Sequence, residues 1–197
     1  MKQDDIRNKL IEATIQVIAR DGLDKASTKS ISQYAGVNEV YIYRCFADKE
    51  DMFAKAFDVL DGELVSNILE NVAIMYVPEI EYEQRCRIFF TAVWKLLICK
   101  QDRCSTFVQY YYSPYFLKFS VLSHKKRYAP VVEKFNDAFI DEAEVGLIMG
   151  HMLNVILDFA LKVHNNQMPK DDSYAEHVFR VIYRSVEQYF KKGENHA

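Results

Sequence analysis

Residues 27–52 have the sequence STKSISQYAGVNEVYIYRCFADKEDM. Ser27 and Thr28 offer side-chain oxygens that can cap a helix, and the segment after them is helical in character as far as Ala35. Gly36 interrupts this segment, because glycine adopts the left-handed backbone that ends helices, and a second short helical segment covers residues 38–45. The stretch therefore predicts two short helices joined by a tight turn, which is the layout of a helix-turn-helix.

Helical periodicity extends over the rest of the chain. Apolar residues recur at helical spacing up to Gly22, and Asp48 offers a cap for a long helix that runs toward Pro78. Further helices are predicted over Tyr82–Lys100, over Ser105–Tyr112, after Pro114 with a break at Pro130, over Glu142–Val163, and over Tyr174–Phe190, the last with a capping box formed by Ser173 and Glu176. No succession of alternating strands is present, so the predicted fold class is all-α.

Composition excludes several classes of protein. Half of the 197 residues are apolar and the net charge is only −3, so a disordered chain is excluded. The longest uncharged stretches, residues 104–117 and 145–157, are shorter than the roughly 20 residues that span a bilayer. The N-terminus alternates charges where a signal peptide needs an apolar segment. We therefore predict a cytoplasmic protein that makes no membrane contact and keeps its cysteines reduced.

The stretch from Ala35 to Glu50 resembles the signature of the tetracycline-repressor (TetR) family, roughly AGVSxGTLYxHFxxKExL. Agreement extends upstream, so that the resemblance covers residues 6–52. The matching upstream positions are Ala13, Ile18, Gly22, Ala26, Thr28 and Ile31. The resemblance implies a three-helix DNA-binding domain over residues 1–50 and a helical ligand-binding and dimerisation domain over residues 51–197.

The same resemblance implies roles for individual residues of the helix-turn-helix. Thr28 and Lys29 would meet a phosphate at the start of the first short helix, Asn38 would cap the second, and Ile42 and Phe46 would seat it in the core. In the second helix and just after it, Glu39, Val40 and Tyr41 would face bases or the groove wall, whereas Tyr43 and Lys49 would contact phosphates.

Three departures from the family pattern affect this prediction. Val40-Tyr41 replaces the usual Gly-Thr, so we expect a different operator, and Cys45 replaces a histidine that would contact a phosphate. Glu39 has an acceptor-only carboxylate, which can accept from cytosine N4 in the major groove and repels phosphate. Residues 1–50 hold eight basic and eight acidic side chains, so affinity would depend on a few phosphate contacts per subunit, doubled by dimerisation.

The remainder of the chain is rich in aromatic residues, which are concentrated between Phe89 and Phe119. These rings fit either a cavity for an apolar or planar ligand or ordinary core packing. His151, Asn154 and Asp158 on an apolar helix would either orient a ligand's polar atoms or form hydrogen bonds in the core or in a subunit interface. The predicted ligand-binding residues are Phe89, Trp94, Phe107, Tyr110, Tyr111, Phe116, His151, Asn154 and Asp158.

The last two helices are predicted to form a homodimer interface, as the resemblance implies. Gly146 and Gly150 permit a close helix approach, and the final helix has an apolar stripe at Val178, Val181, Ile182, Val186 and Phe190. The histidines are too scattered to predict a metal site, and no cofactor is expected. Cys99 and Cys104 admit either a redox-sensing role or burial as small apolar residues.

The leading hypothesis is a homodimeric transcriptional repressor that a small, largely apolar or aromatic ligand releases from a palindromic DNA operator. A helical adaptor for a protein partner, with a vestigial helix-turn-helix, is the alternative. An enzyme is not expected, because the sequence contains no nucleotide-binding glycine motif, HExxH motif or ordered catalytic triad.

Overall fold

The computed structural model describes residues 3–191, so the predicted domains' outermost residues, 1–2 and 192–197, lie outside the description. Within that range the chain forms helices and no β-strand, apart from one bridge between Phe139 and Phe190. The all-α prediction is confirmed. The α-helices are α1 (Gln3–Asp21), α2 (Thr28–Ala35), α3 (Val40–Cys45), α4 (Lys49–Asn71), α5 (Tyr82–Cys99), α6 (Gln101–Tyr111), α7 (Val121–Asn136), α8 (Val145–His164) and α9 (Asp172–Val186).

Short helical turns of other kinds extend three of these helices. A 3₁₀ turn over Val72–Tyr76 continues α4 toward Pro78, as predicted, and another over Glu187–Tyr189 follows α9. A π-helical turn over Phe116–Ser120 precedes α7. The wider π turn places Phe116 and Ser120 inward, and Ser120 Oγ lies 3.0 Å from the buried Tyr110 hydroxyl.

The helix-turn-helix has the predicted caps. Ser27 and Ser30 form a reciprocal capping box at the start of α2, with 3.1 Å from the Ser30 amide to Ser27 Oγ. Gly36 ends α2 in the left-handed conformation at φ 65°, and the Val37 amide then donates to the Ser32 carbonyl at 3.1 Å. Gly22 likewise follows α1 with φ 90°.

The predicted break at Pro130 is wrong, because Pro130 lies inside α7. Proline removes one backbone hydrogen bond and usually kinks a helix. Here its side chain is exposed, while Val131 and Phe135 just after it are buried and anchor the following turns. Burial of these two residues holds the helix together across the missing bond.

The predicted capping box of the last helix is also wrong. Asp171 caps α9 instead, with 2.7 Å from the Tyr174 amide to Asp171 Oδ1. Glu176 is directed to Arg87 on α5, with 2.9 Å between Oε2 and Nε. The Glu176 carboxylate therefore pairs with a neighbouring helix and does not bond to a backbone amide at the start of α9.

The chain forms two compact units that do not follow the predicted boundary at residue 50, and the functional division at that residue stays a prediction. The first unit comprises Met1–Glu63 and Lys100–Lys126. Its core joins α1 to α6. Thr106 Oγ1 donates to the Ile15 carbonyl at 2.7 Å, and Gln109 accepts from the Leu23 amide at 2.9 Å.

The second unit comprises Leu64–Cys99 and Arg127–Ala197. In its core α5 packs against α8 and α9. The Phe90 ring stacks on Trp94 and contacts Phe179, and His164 Nε2 lies 2.9 Å from the Leu97 carbonyl oxygen. Aromatic packing and a buried histidine hydrogen bond therefore hold the three helices together.

Candidate nucleic-acid interface

The short helix α3 is held by residues on its inner side. Ile42 has no exposed surface and Phe46, which ends the helix, is almost fully buried. The Phe46 amide donates to the Ile42 carbonyl at 2.8 Å, which closes the last turn. These two residues seat α3 in the first unit, as predicted.

The outer side of α3 faces solvent. Val40 is 54% exposed and Tyr43 is 62% exposed, whereas Glu39 and Tyr41 are half-buried. A helix that reads the major groove needs such an open face, because its side chains must reach base edges and phosphates. The exposure that DNA contact requires is therefore present at Val40 and Tyr43.

Local hydrogen bonds fix the ends of α3 and α4. Asn38 Oδ1 accepts from the Val40 amide at 2.9 Å, so the asparagine bonds to the first turn of α3, although Glu39 and not Asn38 occupies the cap position. At the start of α4, Asp48 Oδ1 accepts from the Asp51 amide at 2.7 Å, and Asp51 in turn accepts from the Ala47 amide. Lys49 follows directly, half-buried, with its Nζ 5.4 Å from the Phe53 ring centroid.

The remaining predicted DNA contacts lie at the start of α2. Lys29 is exposed and Thr28 is half-buried. Both occupy the first turn, where unpaired backbone amides favour an anion. DNA contact by these residues and by those of α3 stays a prediction.

Sequence reasoning missed one exposed cation on α3. Arg44 lies over the Tyr41 ring, with 5.3 Å from its guanidinium carbon to the ring centroid. The signal was available in the sequence, because residues three apart on a helix are neighbours.

Four of the predicted ligand-binding rings come together in the first unit. Phe107, Tyr110, Tyr111 and Phe116 cluster around Phe57 of α4, which stacks on Tyr110 with centroids 4.7 Å apart. Burial raises the pKa of the Tyr110 and Tyr111 hydroxyls. The cluster is an apolar aromatic core with polar tips.

The sequence did not predict the buried polar pair beside this cluster. Asp61 has no exposed surface, and its Oδ1 lies 3.0 Å from Nδ1 of His124. The His124 ring contacts Tyr111 and Phe116, each with centroids 5.4 Å apart. No motif in the sequence links α4 to α7, so only the fold reveals this pair.

The other predicted ligand-binding residues do not join that cluster. Phe89 and Trp94 belong to the second unit, where Phe89 packs on Phe135. His151, Asn154 and Asp158 are exposed on the outer face of α8. His151 Nε2 lies 3.1 Å from Ser185 Oγ, and Asp158 pairs with Lys162 at 2.7 Å. The structure therefore does not unite the nine predicted residues in one site.

A shallow groove of about 660 Å³ lies between α1 and α2. It is lined by the polar or charged side chains of Asp5, Asn8, Lys9, Glu12 and Gln16, together with Ala13, Tyr34 and Ala35. None of the predicted ligand-binding residues belongs to this groove. Among the described residues no group of three metal-binding side chains is close enough to hold an ion.

The two cysteines considered for redox sensing have different environments. Cys99 is exposed, whereas Cys104 is buried and its pKa is raised to about 12 by that burial. The neighbouring Arg103 donates to Glu12 at 2.7 Å and to Glu63 at 2.8 Å. Cys104 is therefore a protonated core residue at neutral pH, which favours the packing interpretation.

The length argument against a membrane segment needs correction at α8. This helix has 20 residues and is long and apolar enough, by length and composition alone, to cross a membrane. It contains only two charged residues, Asp158 and Lys162, and its mean hydropathy stays at 1.4. One such helix is weak evidence, since helices of soluble proteins also meet this criterion. In the single chain only 28% of the apolar part of this helix is buried.

Comparison with known proteins agrees with this architecture. A capped helix-turn-helix whose second helix exposes its outer face is typical of helix-turn-helix regulatory proteins. Residues 10–56 match the profile of the family described as bacterial regulatory proteins, tetR family. The similarity to this family of regulatory proteins therefore covers the helix-turn-helix and the residues on either side of it.

One curated relative is the HTH-type nicotine-responsive transcriptional repressor HdnoR of Paenarthrobacter nicotinovorans. It is 36% identical over 64 residues, which cover 32% of this chain and 33% of that protein. The match thus spans about a third of the relative's length.

Solved structures share the fold over nearly the whole chain. A TetR family regulator from Marinobacter aquaeolei VT8 superposes with a TM-score of 0.75 at 15% identity, covering 96% of this chain and 97% of the other. The Bacillus subtilis regulator FadR, in complex with stearoyl-CoA, gives 0.67 at 19% identity over 89% and 96% of the two chains. At these identities the likeness concerns the fold alone.

Proposed function

We propose that this chain is a cytoplasmic, homodimeric transcriptional repressor that binds a palindromic DNA operator and is released by a small, largely apolar or aromatic ligand. The observation that carries the proposal is the open face of α3, where Val40 and Tyr43 project from a helix anchored by Ile42 and Phe46. In a two-fold dimer, two such helices would enter successive major grooves about 34 Å apart.

Dimerisation is supported by the outer faces of α8 and α9. Leu147 is 68% exposed and Val181 is 53% exposed. A Cβ placed on Gly146 or Gly150 would meet no atom within 4 Å, so this part of α8 has space for a partner helix. Large apolar side chains exposed on both helices favour an interaction site there.

Ligand release is supported by the aromatic cluster around Phe57 and by two relatives. The HdnoR name describes a nicotine-responsive repressor, and the FadR structure contains stearoyl-CoA. These two ligands differ in shape and charge but both present apolar surface. A ligand that binds better to the conformation with lower DNA affinity would release the operator by linkage.

The DNA-binding step is tested with duplexes from the region upstream of the protein's own gene. We expect sequence-selective, salt-sensitive binding by fluorescence anisotropy, and weaker binding by Tyr43→Phe combined with Lys49→Ala. Nuclease digestion provides the second readout, because a repressor protects a palindromic site and an adaptor does not. Absence of both selective binding and protection would contradict the proposal.

The release step is tested on the same protein–DNA complex. A library of apolar aromatic compounds, including nicotine, is added, and stearoyl-CoA serves as the acyl probe. Loss of anisotropy that is restored by dialysis is expected for an effector. Compounds that bind the protein without lowering operator affinity would contradict ligand-controlled release.

A further inference from the structure

Few cations are available on the segment that would meet DNA. Between Gly36 and Phe53 the sequence contains two basic residues, Arg44 and Lys49, against four acidic residues. Two of those acids, Asp48 and Asp51, are occupied as caps of α4. Charge-assisted phosphate contacts from this segment must therefore come from Arg44 and Lys49.

No carboxylate within the described part of the chain pairs with the Arg44 guanidinium. The Arg44 side chain is exposed. Arg20 offers a useful contrast, because it also lies over a tyrosine, Tyr34 at 5.8 Å, yet its charge is paired with Asp21 at 2.6 Å. Arg44 thus keeps an uncompensated positive charge on the recognition helix.

The helix geometry directs Arg44 to the DNA-facing side. Residues three and four apart share a helix face, so Arg44 shares one with the exposed Val40, which lies three residues before the exposed Tyr43. The opposite face carries the buried Ile42. At the C-terminal end of α3, Gln3 Nε2 donates to the Arg44 carbonyl at 3.3 Å, which ties the helix end to α1.

The Tyr41 ring restricts where the guanidinium can lie. A guanidinium stacked on an aromatic face keeps its N–H groups directed outward in the plane of the group, where they match two phosphate oxygens. The ring contact also lowers the entropy lost when a phosphate contact forms, because it narrows the range of positions open to the guanidinium. Cys45, the next residue, is half-buried and has no cationic group to substitute for it.

We propose that Arg44 binds a DNA backbone phosphate and that Tyr41 positions its guanidinium for this contact. The proposal rests on the proposed function, because it assigns a partner to a residue of the same interface. It predicts that part of the affinity depends on salt and not on base sequence. Arg44 thereby differs from Val40, which has only apolar surface to offer to bases.

The test measures the salt dependence of binding with the full-length protein. The probes are a duplex selected by the wild-type protein from a random pool and a scrambled duplex of the same composition. Each phosphate contact contributes a slope of about 0.9 in log K against log salt. Arg44→Ala removes two contacts per dimer, so the slope should become shallower by about 2, with similar weakening on both duplexes.

Three variants provide the controls. Arg44→Lys keeps the charge and should retain most of the slope, whereas Tyr41→Leu removes the ring and should weaken binding without changing the fold. Arg20→Ala is the matched control, since it removes a stacked but paired arginine, and its slope should equal that of the wild type. Circular dichroism melting checks that all variants are folded.

The outcomes separate the two proposals. If the wild-type protein binds neither duplex, both fail. If it binds and Arg44→Ala keeps the wild-type slope, or if Arg20→Ala lowers the slope equally, the Arg44 assignment alone is wrong. Weakening confined to the selected duplex would mean that Arg44 contacts a base, and this also overturns the phosphate assignment.

Discussion

The Arg87 guanidinium on α5 donates to both carboxylate oxygens of Glu176 on α9, at 2.9 and 3.1 Å. This bidentate contact joins two helices of the second unit, although the two residues are 89 positions apart in the sequence. Together with Arg180 it lowers the pKa of Glu176 to about 2, chiefly through the hydrogen bonds from Arg87. The same contact places the Arg87 guanidinium 4.6 Å from the Phe179 ring centroid, so the ion pair is accompanied by a cation–π contact.

The Glu176 carboxylate should make the free energy of unfolding depend on pH in the acidic range. Its folded-state pKa is depressed, so its contribution is complete above about pH 4.5 and is lost as the pH falls toward 2. We expect Glu176→Gln to lower the free energy of unfolding by about 1 kcal/mol at pH 7, a value reduced by partial solvent exposure. Urea unfolding at pH 7, 4 and 3 should show this difference shrinking with acid.

Glu187→Gln is the matched control for that experiment. Glu187 pairs with Arg184, whose side chain is 68% exposed, and this pair joins residues only three apart. Exposed local pairs contribute little, so its effect should be close to zero at every pH. A difference for Glu176→Gln that stays constant down to pH 3 would mean that the carboxylate is not held by Arg87.

Two glycines should respond to alanine in opposite directions. Gly36 has φ 65°, which an L-residue adopts at a cost of about 1 kcal/mol, whereas Gly62 lies inside α4, where alanine is favoured by roughly 0.5–1 kcal/mol. A Cβ at either position meets no atom within 4 Å, so sterics do not confuse the comparison. Urea unfolding should show Gly36→Ala destabilised and Gly62→Ala stabilised. Equal effects would refute the left-handed turn.

The local signals around the turn were readable from sequence because they depend on neighbours in the chain. Ser27, Gly36 and Asp48 act on amides within a few residues, and each ends or begins a helix where the sequence predicted it. The buried side of α3, with Ile42 and Phe46, was predicted from the resemblance to the TetR family instead. Short-range chemistry therefore sufficed for the caps and the turn, whereas the candidate DNA-binding surface depended on that resemblance.

Features decided by distant contacts were not readable in the same way. Pro130 is a helix breaker by local rules, but burial of Val131 and Phe135 overrides it. The placement of His151 and Asp158 on an exposed face depends on which side of α8 meets α5, and nothing near them in the chain specifies this. The pairing of Asp61 with His124 likewise joins residues 63 positions apart.

Cysteine reactivity should separate Cys99 from Cys104. The buried Cys104 thiol has a pKa of about 12 and is shielded, as is Cys86, whereas Cys99 is exposed. At pH 8 we expect a thiol-specific disulfide reagent to modify Cys99 within minutes in the native protein, and Cys104 only after denaturation. Cys99→Ser should remove the modification at that site, and mass spectrometry of peptides distinguishes it from modification of the half-buried Cys45. Fast modification of Cys104 would revive the redox hypothesis.

Disruption of the proposed dimer should depend on which exposed leucine is changed. Leu147 on α8 is 68% exposed beside Gly146 and Gly150, whereas Leu117 in the π-helical turn is 75% exposed but lies on neither α8 nor α9. A glutamate at 147 would place a charge in the apolar interface, where it costs several kcal/mol unless paired. Leu147→Glu should therefore be largely monomeric by sedimentation velocity at micromolar concentration, with unchanged helix content.

Leu117→Glu is the control, because it has similar exposure and the same charge change. It should remain dimeric, since Leu117 lies outside the proposed interface. Dissociation by Leu117→Glu alone would move the interface to the first unit.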